Sequence, residues 1–313
     1  MAEVCRPRPV AVAAVTKQRP QQTANDCRST KPSIPKNENN VRESERVPCI
    51  GASFFFGKVA TMPTTTAAAA TTTASAAAWA WWQSLGSPRF VCAPMVWQSE
   101  TAFRRMVTDL GGCTLAYTPM MHADQLLQNN DAAKGHLADL QLDMAHHRSY
   151  PLIGQLCSTD PAEFVRAARI VEPYVDAIDL NLGCPQRTAQ LGGFGAFLME
   201  RPDTVAAMVR RASTELGKPV CCKIRVFESV ERTVAFAQLL EKSGCSLLAV
   251  HARTRAQRHH EGAPHYATIR AVVEAVSIPV IANGGVCNRR EALGVIASTG
   301  AVAAMSATAL LAS

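Results

Sequence analysis

From residue 90 onward, the chain alternates short apolar runs with longer stretches in which apolar residues recur at helical spacing. Eight runs, apolar at almost every position, recur about every 30 residues: Phe90–Met95, Cys113–Thr118, Pro151–Leu156, Ala177–Leu182, Val220–Arg225, Ser246–His251, Ile278–Asn283 and Ala301–Ser306. Strands with this composition are typical of a parallel sheet that is buried on both faces. The pattern therefore predicts eight buried parallel strands.

Segments with helical periodicity separate these runs, at Thr101–Thr108, Pro161–Val171, Pro202–Glu215, Val230–Lys242, Tyr266–Val276 and Arg289–Ser298. Asp160 before Pro161 is a helix-start signal, since it combines an N-cap side chain with proline at the first helical position. Eight strand–helix units predict an α/β fold of the (β/α)8 TIM-barrel class. The glycine patterns of Rossmann folds and P-loops do not occur after any strand, which excludes both kinds of nucleotide site.

The first part of the chain has a different composition. Residues 1–50 are rich in Pro, Asn, Gln, Ser and Arg and have no apolar periodicity, which predicts disorder. Residues 59–88 carry no charge. A membrane span is one interpretation of that stretch, but its many Thr and Ala residues favour a low-complexity linker. The predicted organisation is a disordered tail and linker over 1–78 and a barrel domain over 79–313.

The net charge of +7 first suggests a nucleic-acid partner. Residues 1–62 hold ten Lys and Arg against five Asp and Glu, so most of the excess lies outside the barrel. The charge alone is therefore weak support for an RNA-binding or DNA-binding barrel.

The cysteine pattern points to free thiols. Eleven cysteines are scattered without a C-x-x-C pair, which argues against a zinc site, and no metal is expected. We expect a reducing compartment, the cytoplasm or the nucleus. A basic start that faintly resembles a transit peptide leaves mitochondria as the alternative, and Met62 is an alternative start.

Candidate chemistry lies where the runs end, since active sites of such barrels lie at the carboxyl ends of the strands. Six runs carry a residue suited to a site at or near their carboxyl end: Met95, Gln155, Asn181, Lys223, His251 and Asn283. Cys184 follows the fourth run. A cysteine is most often a buried apolar residue, but this position after a strand favours a thiol in the barrel mouth. With a reference pKa of about 8.5, such a thiol is a general acid at neutral pH.

The other candidates each have a structural alternative. A lysine in an apolar strand, as Lys223 is, indicates either a salt bridge or stabilisation of a reduced cofactor ring, whose edge Gln155 could also contact. His251 is either a core histidine or a functional one. Gly284 and Gly285 indicate either a tight turn or a phosphate site. Arg253 begins a basic cluster, with Arg255, Arg258, His259 and His260, that is either a solvated loop or a phosphate contact.

These residues resemble a known family, the flavin-dependent tRNA-dihydrouridine synthases. The resemblance covers about residues 80–310 and is carried by the segments APMVWQSETAFR, YTPMMHA, DAIDLNLGCPQ, GAFLME, CKIRVF, LLAVHARTRAQ, IPVIANGG and MSA. It is closest to the eukaryotic branch that acts on positions 16 and 17 of the tRNA D-loop. The specificity lies in the barrel order of the motifs, because no single motif is distinctive.

The resemblance implies FMN in the barrel mouth, NADPH or NADH as the reductant, and tRNA as the partner. Cys184 is similar to the family's proton donor, and Asn181 to the residue that holds the uracil, with Arg253 as a further substrate contact. The implied cofactor contacts are Pro94, Met95, Gln155, Lys223, His251, Asn283, Gly284, Gly285, Ser306 and Ala307. A monomer without membrane association is expected.

Three departures from the family pattern stand out. Trp97 replaces an aspartate that is usual after APMV. Thr308 and Ala309 stand where Glu-Gly is usual, on the expected phosphate side. The sequence stops at Ser313, so we expect a C-terminally truncated barrel without the closing helix and the family's C-terminal helical domain. Another FMN barrel oxidoreductase acting on a free pyrimidine, and an inactive RNA-binding remnant, are the alternative functions.

Overall fold

The computed structural model describes residues 65–257 and 261–312, and they contain a closed barrel of parallel strands. The disorder predicted for residues 1–64 concerns a part of the chain outside these ranges. Within those two ranges, nine strands are present: β1 (Phe90–Cys92), β2 (Leu115–Tyr117), β3 (Met121–His122), β4 (Leu152–Cys157), β5 (Ala177–Leu182), β6 (Val220–Arg225), β7 (Leu247–His251), β8 (Val280–Asn283) and β9 (Ala303–Ser306).

Eight of these strands form the barrel wall, in the order β1–β2–β4–β5–β6–β7–β8–β9. The wall closes because β1 also pairs in parallel with β9, with Val91 opposite Met305. The two-residue β3 pairs only with β4, with Met121 opposite Leu156 near the carboxyl end of that strand. The prediction of a (β/α)8 barrel is confirmed, and each of the eight predicted runs overlaps one wall strand.

Within the described residues, the six predicted helices begin at their predicted first residues, and five further α-helices join them around the wall. They are α1 (Thr65–Ser84), α2 (Thr101–Asp109), α3 (Ala123–Gln128), α4 (Asp131–Ala145), α5 (Pro161–Val171), α6 (Arg187–Gly192), α7 (Pro202–Glu215), α8 (Val230–Lys242), α9 (Tyr266–Ala275), α10 (Arg289–Thr299) and α11 (Thr308–Leu311). At the start of α5, the Asp160 carboxylate accepts the backbone N–H groups of Ala162 and Glu163 at 2.8 Å, as its sequence signal predicted. None of the helices in the described ranges combines the length and the apolar character that crossing a membrane requires.

The core has two layers because successive residues of a strand point to opposite faces of the sheet. In β5, Ile178, Leu180 and Leu182 belong to the outer layer between the wall and the helices. Ala177 faces the barrel interior with residues from the other strands and with Trp82. Asp179 and Asn181 share the inward parity of Ala177, so polar groups reach the interior towards the carboxyl end.

The first helix corrects the predicted linker. Residues 65–84 form α1, which runs through the expected domain boundary at residue 79, so the expectation of a disordered linker is wrong for this stretch. Alanine has the highest helix propensity, and no Gly or Pro interrupts the segment. The side chains of Ser75 and Trp79 both donate to the Ser277 carbonyl at 2.7 Å, at the loop that enters β8. The helix thus docks on the amino end of the barrel, where Trp82 closes the interior.

A groove of about 460 Å³ lies on the outer side of the seam between β1 and β9, and α2 and α10 line its two sides. Met106, Leu110 and Ala292 contribute apolar side chains to it, and Leu310 of α11 lines one part. Leu110 is 86% exposed. The sheet is therefore closed at this seam, while its outer side is a groove rather than a packed helix.

Candidate active site at the carboxyl end of the barrel

Five of the six predicted strand-end residues lie together on the inner side of the barrel mouth. They are Gln155, Asn181, Lys223, His251 and Asn283, which occupy β4 to β8 in that order. Two hydrogen bonds link members of this surface: Asn181 Nδ2 donates to Gln155 Oε1 at 2.7 Å, and Lys223 Nζ donates to Asn283 Oδ1 at 2.9 Å. The barrel therefore assembles one polar surface from residues that lie far apart in the sequence.

Cys184 is fixed above this surface by the loop after β5. The Asn181 Oδ1 atom accepts the backbone N–H groups of Gly183 at 3.1 Å and of Cys184 at 3.0 Å. On the other side, the Cys184 carbonyl accepts the N–H of Ala196 at 3.0 Å. Gly195 has φ +64°, and a Cβ there would lie only 2.6 Å from the Cys184 oxygen, so this approach requires glycine. The cysteine is held in place through its backbone.

The Cys184 thiol is half-buried, and burial raises its pKa above the ordinary cysteine value. Its backbone contact and the positive charges of Arg225 and Lys223 oppose that shift without reversing it. The group is therefore a neutral thiol at neutral pH that faces two cations. This combination suits a proton donor, since the cations stabilise the thiolate that remains after proton transfer.

Lys223 is buried in the mouth, and this burial together with Arg225 lowers its pKa to about 8, against the opposing effect of Asp179. Among the described residues, no carboxylate lies within ion-pair distance of its Nζ atom, which bonds to the Asn283 amide instead. The structural salt bridge considered from the sequence is therefore absent from the described part of the chain. Its ammonium group is available to an anionic or electron-rich ligand.

Asp179 lies one layer deeper and was not among the sequence candidates. Gln155 Nε2 donates to its Oδ2 atom at 2.8 Å, and its Oδ1 atom has no hydrogen-bond partner among the described residues. Burial raises its pKa to about 7, although Gln155 and Lys223 act in the opposite direction. The signal for it was the strand period, since Asp179 is two positions before Asn181 and shares its face.

Arg225 is a second residue that the candidate set omitted. It is buried, its Nε donates to the Gly183 carbonyl at 2.8 Å, and its Nη1 donates to the carbonyls of Thr254 and Gln257 at 2.7 and 3.1 Å. Burial lowers its pKa to about 10, so it stays charged at neutral pH. It ties the Cys184 loop to the loop after β7. Its position two residues after Lys223 on one strand was the available signal.

The loops after β7 and β8 form a second part of the mouth. Arg253 is buried, its Nη1 lies 3.5 Å from His251 Nε2, and its Nε has no hydrogen-bond partner among the described residues. Gly284 has φ +118°, and a Cβ there would lie 2.9 Å from His251 Cδ2. Gly285 has φ +69°, and a Cβ there would lie 2.8 Å from Pro264 Cγ. Both glycines are therefore required by backbone conformation and by close packing.

A comparison with protein families decides what kind of barrel this is. The family model described as "Dihydrouridine synthase (Dus)" matches residues 91–313. The chain belongs to the dihydrouridine synthase family. The family resemblance seen in the sequence is thereby confirmed.

Curated relatives of this dihydrouridine synthase family member act at two regions of tRNA, according to their names. The chain is 44% identical over 228 residues to the rat "tRNA-dihydrouridine(16/17) synthase [NAD(P)(+)]-like" protein. The matched stretch covers 72% of this chain and 51% of the rat protein. It is 40% identical over 225 residues to the human "tRNA-dihydrouridine(20a/20b) synthase [NAD(P)+]-like" protein, covering 71% and 68%. The chain spans about half the length of the 16/17 relative.

The remaining family-implied residues lie at the β1–β9 seam. Pro94 and Met95 follow β1, whereas Ser306 ends β9 and Ala307 follows it. A hydrogen bond from the Ala93 N–H to the Ser306 carbonyl, 2.9 Å long, brings the two pairs together. The Ser306 hydroxyl donates to the Val286 carbonyl at 2.7 Å and lines the outer groove. In the described part of the chain, these four residues share no side-chain hydrogen bond with the central polar surface.

The chemistry of the mouth fits a ligand that has a polar planar edge and a phosphate. Lys223 and Gln155 offer donors beside the barrel axis, while the unpartnered Nε of Arg253 and the backbone at Gly284 offer donors to an anion. Arg258, His259 and His260 of the predicted basic cluster lie outside the described residues. Within those residues, no three His, Cys, Asp or Glu side chains are grouped as a metal ion would require.

Proposed function

We propose that this chain is an FMN-dependent tRNA-dihydrouridine synthase, which reduces the C5–C6 double bond of a uracil in the tRNA D-loop. The observation that carries the proposal is the Cys184 thiol, held by Asn181 over a mouth that contains Lys223, in a chain of this family. The 44% identity to a 16/17 synthase-like protein, against 40% to a 20a/20b protein, favours position 16 or 17.

The residues that would hold FMN divide into two groups. Lys223 and Gln155 would contact the ring edge, with Asn283 orienting the lysine through the 2.9 Å hydrogen bond. Arg253 and the backbone of Gly284 and Gly285 would contact the phosphate. When bound, FMN supplies the hydride for C6 of the uracil, with NADPH or NADH as the source of electrons. A cationic Lys223 favours the negative charge of a reduced ring.

Cys184 completes the reduction by giving a proton to C5. Hydride addition at C6 places an electron pair on the C5 side, and the neutral thiol supplies the proton that this carbon requires. The resulting thiolate faces Arg225 and Lys223, whose charges lower its energy. Because the thiol is half-buried rather than enclosed, solvent can return the proton for the next cycle.

The substrate must present its uracil outside the base stack. The polar surface lies inside the barrel mouth, and a stacked base in folded RNA cannot reach it, so the nucleotide has to be flipped out. RNA recognition would then depend on backbone and shape, with unpaired bases as the sequence-bearing contacts.

The test is a matched pair of cysteine variants. Cys184→Ala should lower dihydrouridine formation on unmodified tRNA by about 10²- to 10⁴-fold, while the flavin absorbance of the purified protein stays the same. Cys287→Ala, which removes an exposed thiol in the loop after β8, should leave both unchanged. Dihydrouridine content is measured by mass spectrometry of digested tRNA.

Three results would overturn the proposal. An unchanged rate of dihydrouridine formation in Cys184→Ala would show that Cys184 is not the proton donor. Reduction of free uracil or oxidation of dihydroorotate without activity on tRNA would indicate an enzyme for a free pyrimidine. Binding of tRNA by a protein that retains no flavin would indicate an RNA-binding remnant.

A further inference from the structure

Trp97 is an exposed aromatic side chain at the rim of the barrel mouth. It lies in the loop after β1, on the carboxyl side of the wall, and is 72% exposed. Its backbone is in the left-handed region, with φ +58°. The three other described non-glycine residues with positive φ, Ser87, Asn129 and His147, are polar. Trp97 is therefore the one large apolar side chain among these outliers in the described ranges.

The indole ring of Trp97 is supported on one face. It stacks on the imidazole of His136, with ring centroids 6.0 Å apart and planes 21° apart. His136 lies in the second turn of α4 and is half-buried. Burial is the main cause of its lowered pKa, so the imidazole is neutral at neutral pH. With 72% of the residue exposed, the opposite face of the indole is open to solvent.

The loop that carries Trp97 is rigidly held. The Ser99 hydroxyl accepts the Met95 N–H at 3.0 Å, and the Met95 carbonyl accepts the N–H groups of Gln98 and Ser99 at 3.2 and 3.1 Å. These bonds close a tight turn with Trp97 near its apex. The Ser99 carbonyl in turn accepts Arg104 Nη1 at 2.7 Å.

The same arginine connects this turn to the helix that carries His136. Arg104 is fully buried and pairs with Asp139 at 3.0 Å and with Asp143 at 3.1 Å, both on α4. The Thr101 N–H donates to Asp139 as well, at 2.8 Å. Asp139 is one turn after His136. The two rings that stack at the surface are thus positioned by one buried network.

The backbone strain at Trp97 is not offset by burial of its side chain. A non-glycine residue in the left-handed region costs on the order of 1 kcal/mol, and a tryptophan that is 72% exposed contributes little burial. Strained residues of this kind are concentrated at ligand-binding sites. A rigid aromatic face that is open to solvent is the usual platform for an unpaired base, which stacks whatever its sequence.

We propose that Trp97, backed by His136, is a stacking platform for an unpaired base of the RNA substrate next to the flipped uridine. This inference rests on the proposed function for its choice of RNA as the ligand. It assigns a role to the position where the sequence departs from the family pattern. Trp97 is then a substrate-positioning residue, not a catalytic one.

The test compares four proteins for equilibrium binding to an unmodified tRNA transcript. Trp97→Ala should weaken binding about 5- to 150-fold, the range for one base–aromatic stack. Trp97→Phe should retain most of the affinity because it keeps an aromatic face. Leu142→Ala, which truncates an exposed side chain on α4 six residues after His136, should bind like the wild-type protein. Flavin content should be equal in all four.

A second measurement separates stacking from a general structural effect. Stacking of a base on Trp97 should quench tryptophan emission when tRNA is added, and this quenching should disappear in Trp97→Phe while binding persists. Wild-type affinity in Trp97→Ala, equal weakening in Leu142→Ala, or no tRNA binding by the wild-type protein would each overturn the platform. If binding depends on Trp97 but no dihydrouridine forms, the proposed reaction fails and the platform stands.

Discussion

The side-chain oxygen of Asn181 accepts the backbone N–H of Cys184 at 3.0 Å. The same amide donates to Gln155, so a single residue joins the floor of the mouth to the loop that carries the proton donor. Asn181 was expected to hold the uracil. Its oxygen is already used twice within the chain, which gives the residue a second task, the positioning of Cys184.

Replacement of Asn181 should therefore affect the cysteine before it affects the cofactor. We expect Asn181→Ala to lower dihydrouridine formation at least 10-fold with unchanged flavin content, because two backbone N–H groups lose their acceptor. Asn181→Asp, which keeps the acceptor oxygen, should retain the loop geometry. The alkylation rate at Cys184, followed by peptide mass spectrometry, checks the loop directly. Equal rates in wild type and Asn181→Ala would contradict this role.

Gly284 should not tolerate a side chain. Its φ of +118° and the 2.9 Å approach to His251 predict that Gly284→Ala distorts the loop after β8 and lowers the flavin content of the purified protein. Gly294→Ala is the control, since this exposed glycine in α10 has open space around its Cβ position. That control should stabilise the protein by about 0.5–1 kcal/mol. Full flavin occupancy in Gly284→Ala would show that flavin binding does not require the glycine backbone at Gly284.

Asp179 should make stability depend on pH. Its pKa is about 7 in the folded protein, above the ordinary carboxyl value of 3.8. The folded state therefore binds the proton more tightly, and this contribution to stability is lost as pH rises towards 7. We expect the melting temperature of the wild type, relative to Asp179→Asn, to fall between about pH 4 and pH 7 and to level off above pH 7 in the cofactor-free protein. A constant difference across that range would contradict the raised pKa.

Trp82 should be the main anchor of α1. It is 2% exposed and packs into the inner core of the barrel. Truncation of a buried tryptophan to alanine costs about 3–5 kcal/mol, and we expect Trp82→Ala to lose that much in denaturant unfolding. Gln83→Ala, at the next and exposed position, should change stability by less than about 0.5 kcal/mol. Similar losses in the two variants would mean that α1 is not seated in the barrel.

The barrel was predictable because its strands are apolar at nearly every position. Ala177–Leu182 and Val220–Arg225 match their predicted bounds, and so does Pro161–Val171, which has a sequence signal for its first residue. The helix α1 was missed because Thr and Ala repeats resemble a linker. The helix is held by tryptophans that dock on the amino end of the folded barrel. That surface forms only when the strands come together, so it cannot be read from the sequence.

The candidate site was predictable at the ends of the strands and less so between them. Gln155, Asn181 and Asn283 were found because polar residues interrupt apolar runs. Asp179 was missed because only residues near strand ends were considered. Arg225 ends its strand, but Lys223 was the candidate chosen from that strand. The two-residue period places both Asp179 and Arg225 on the inner face. The choice of partners, such as Lys223 with Asn283 rather than with a carboxylate, depends on distances across the barrel.

The pairing of Val91 with Met305 joins positions about 210 residues apart. During synthesis, β1 finds β2 early, but its other edge has no partner until β9 has been made. An unpaired strand edge is a template for association with other chains, and slow long-range pairing prolongs that exposure. The growing chain therefore carries an open strand edge through almost the whole of barrel assembly, and that edge is covered only when β9 pairs with β1.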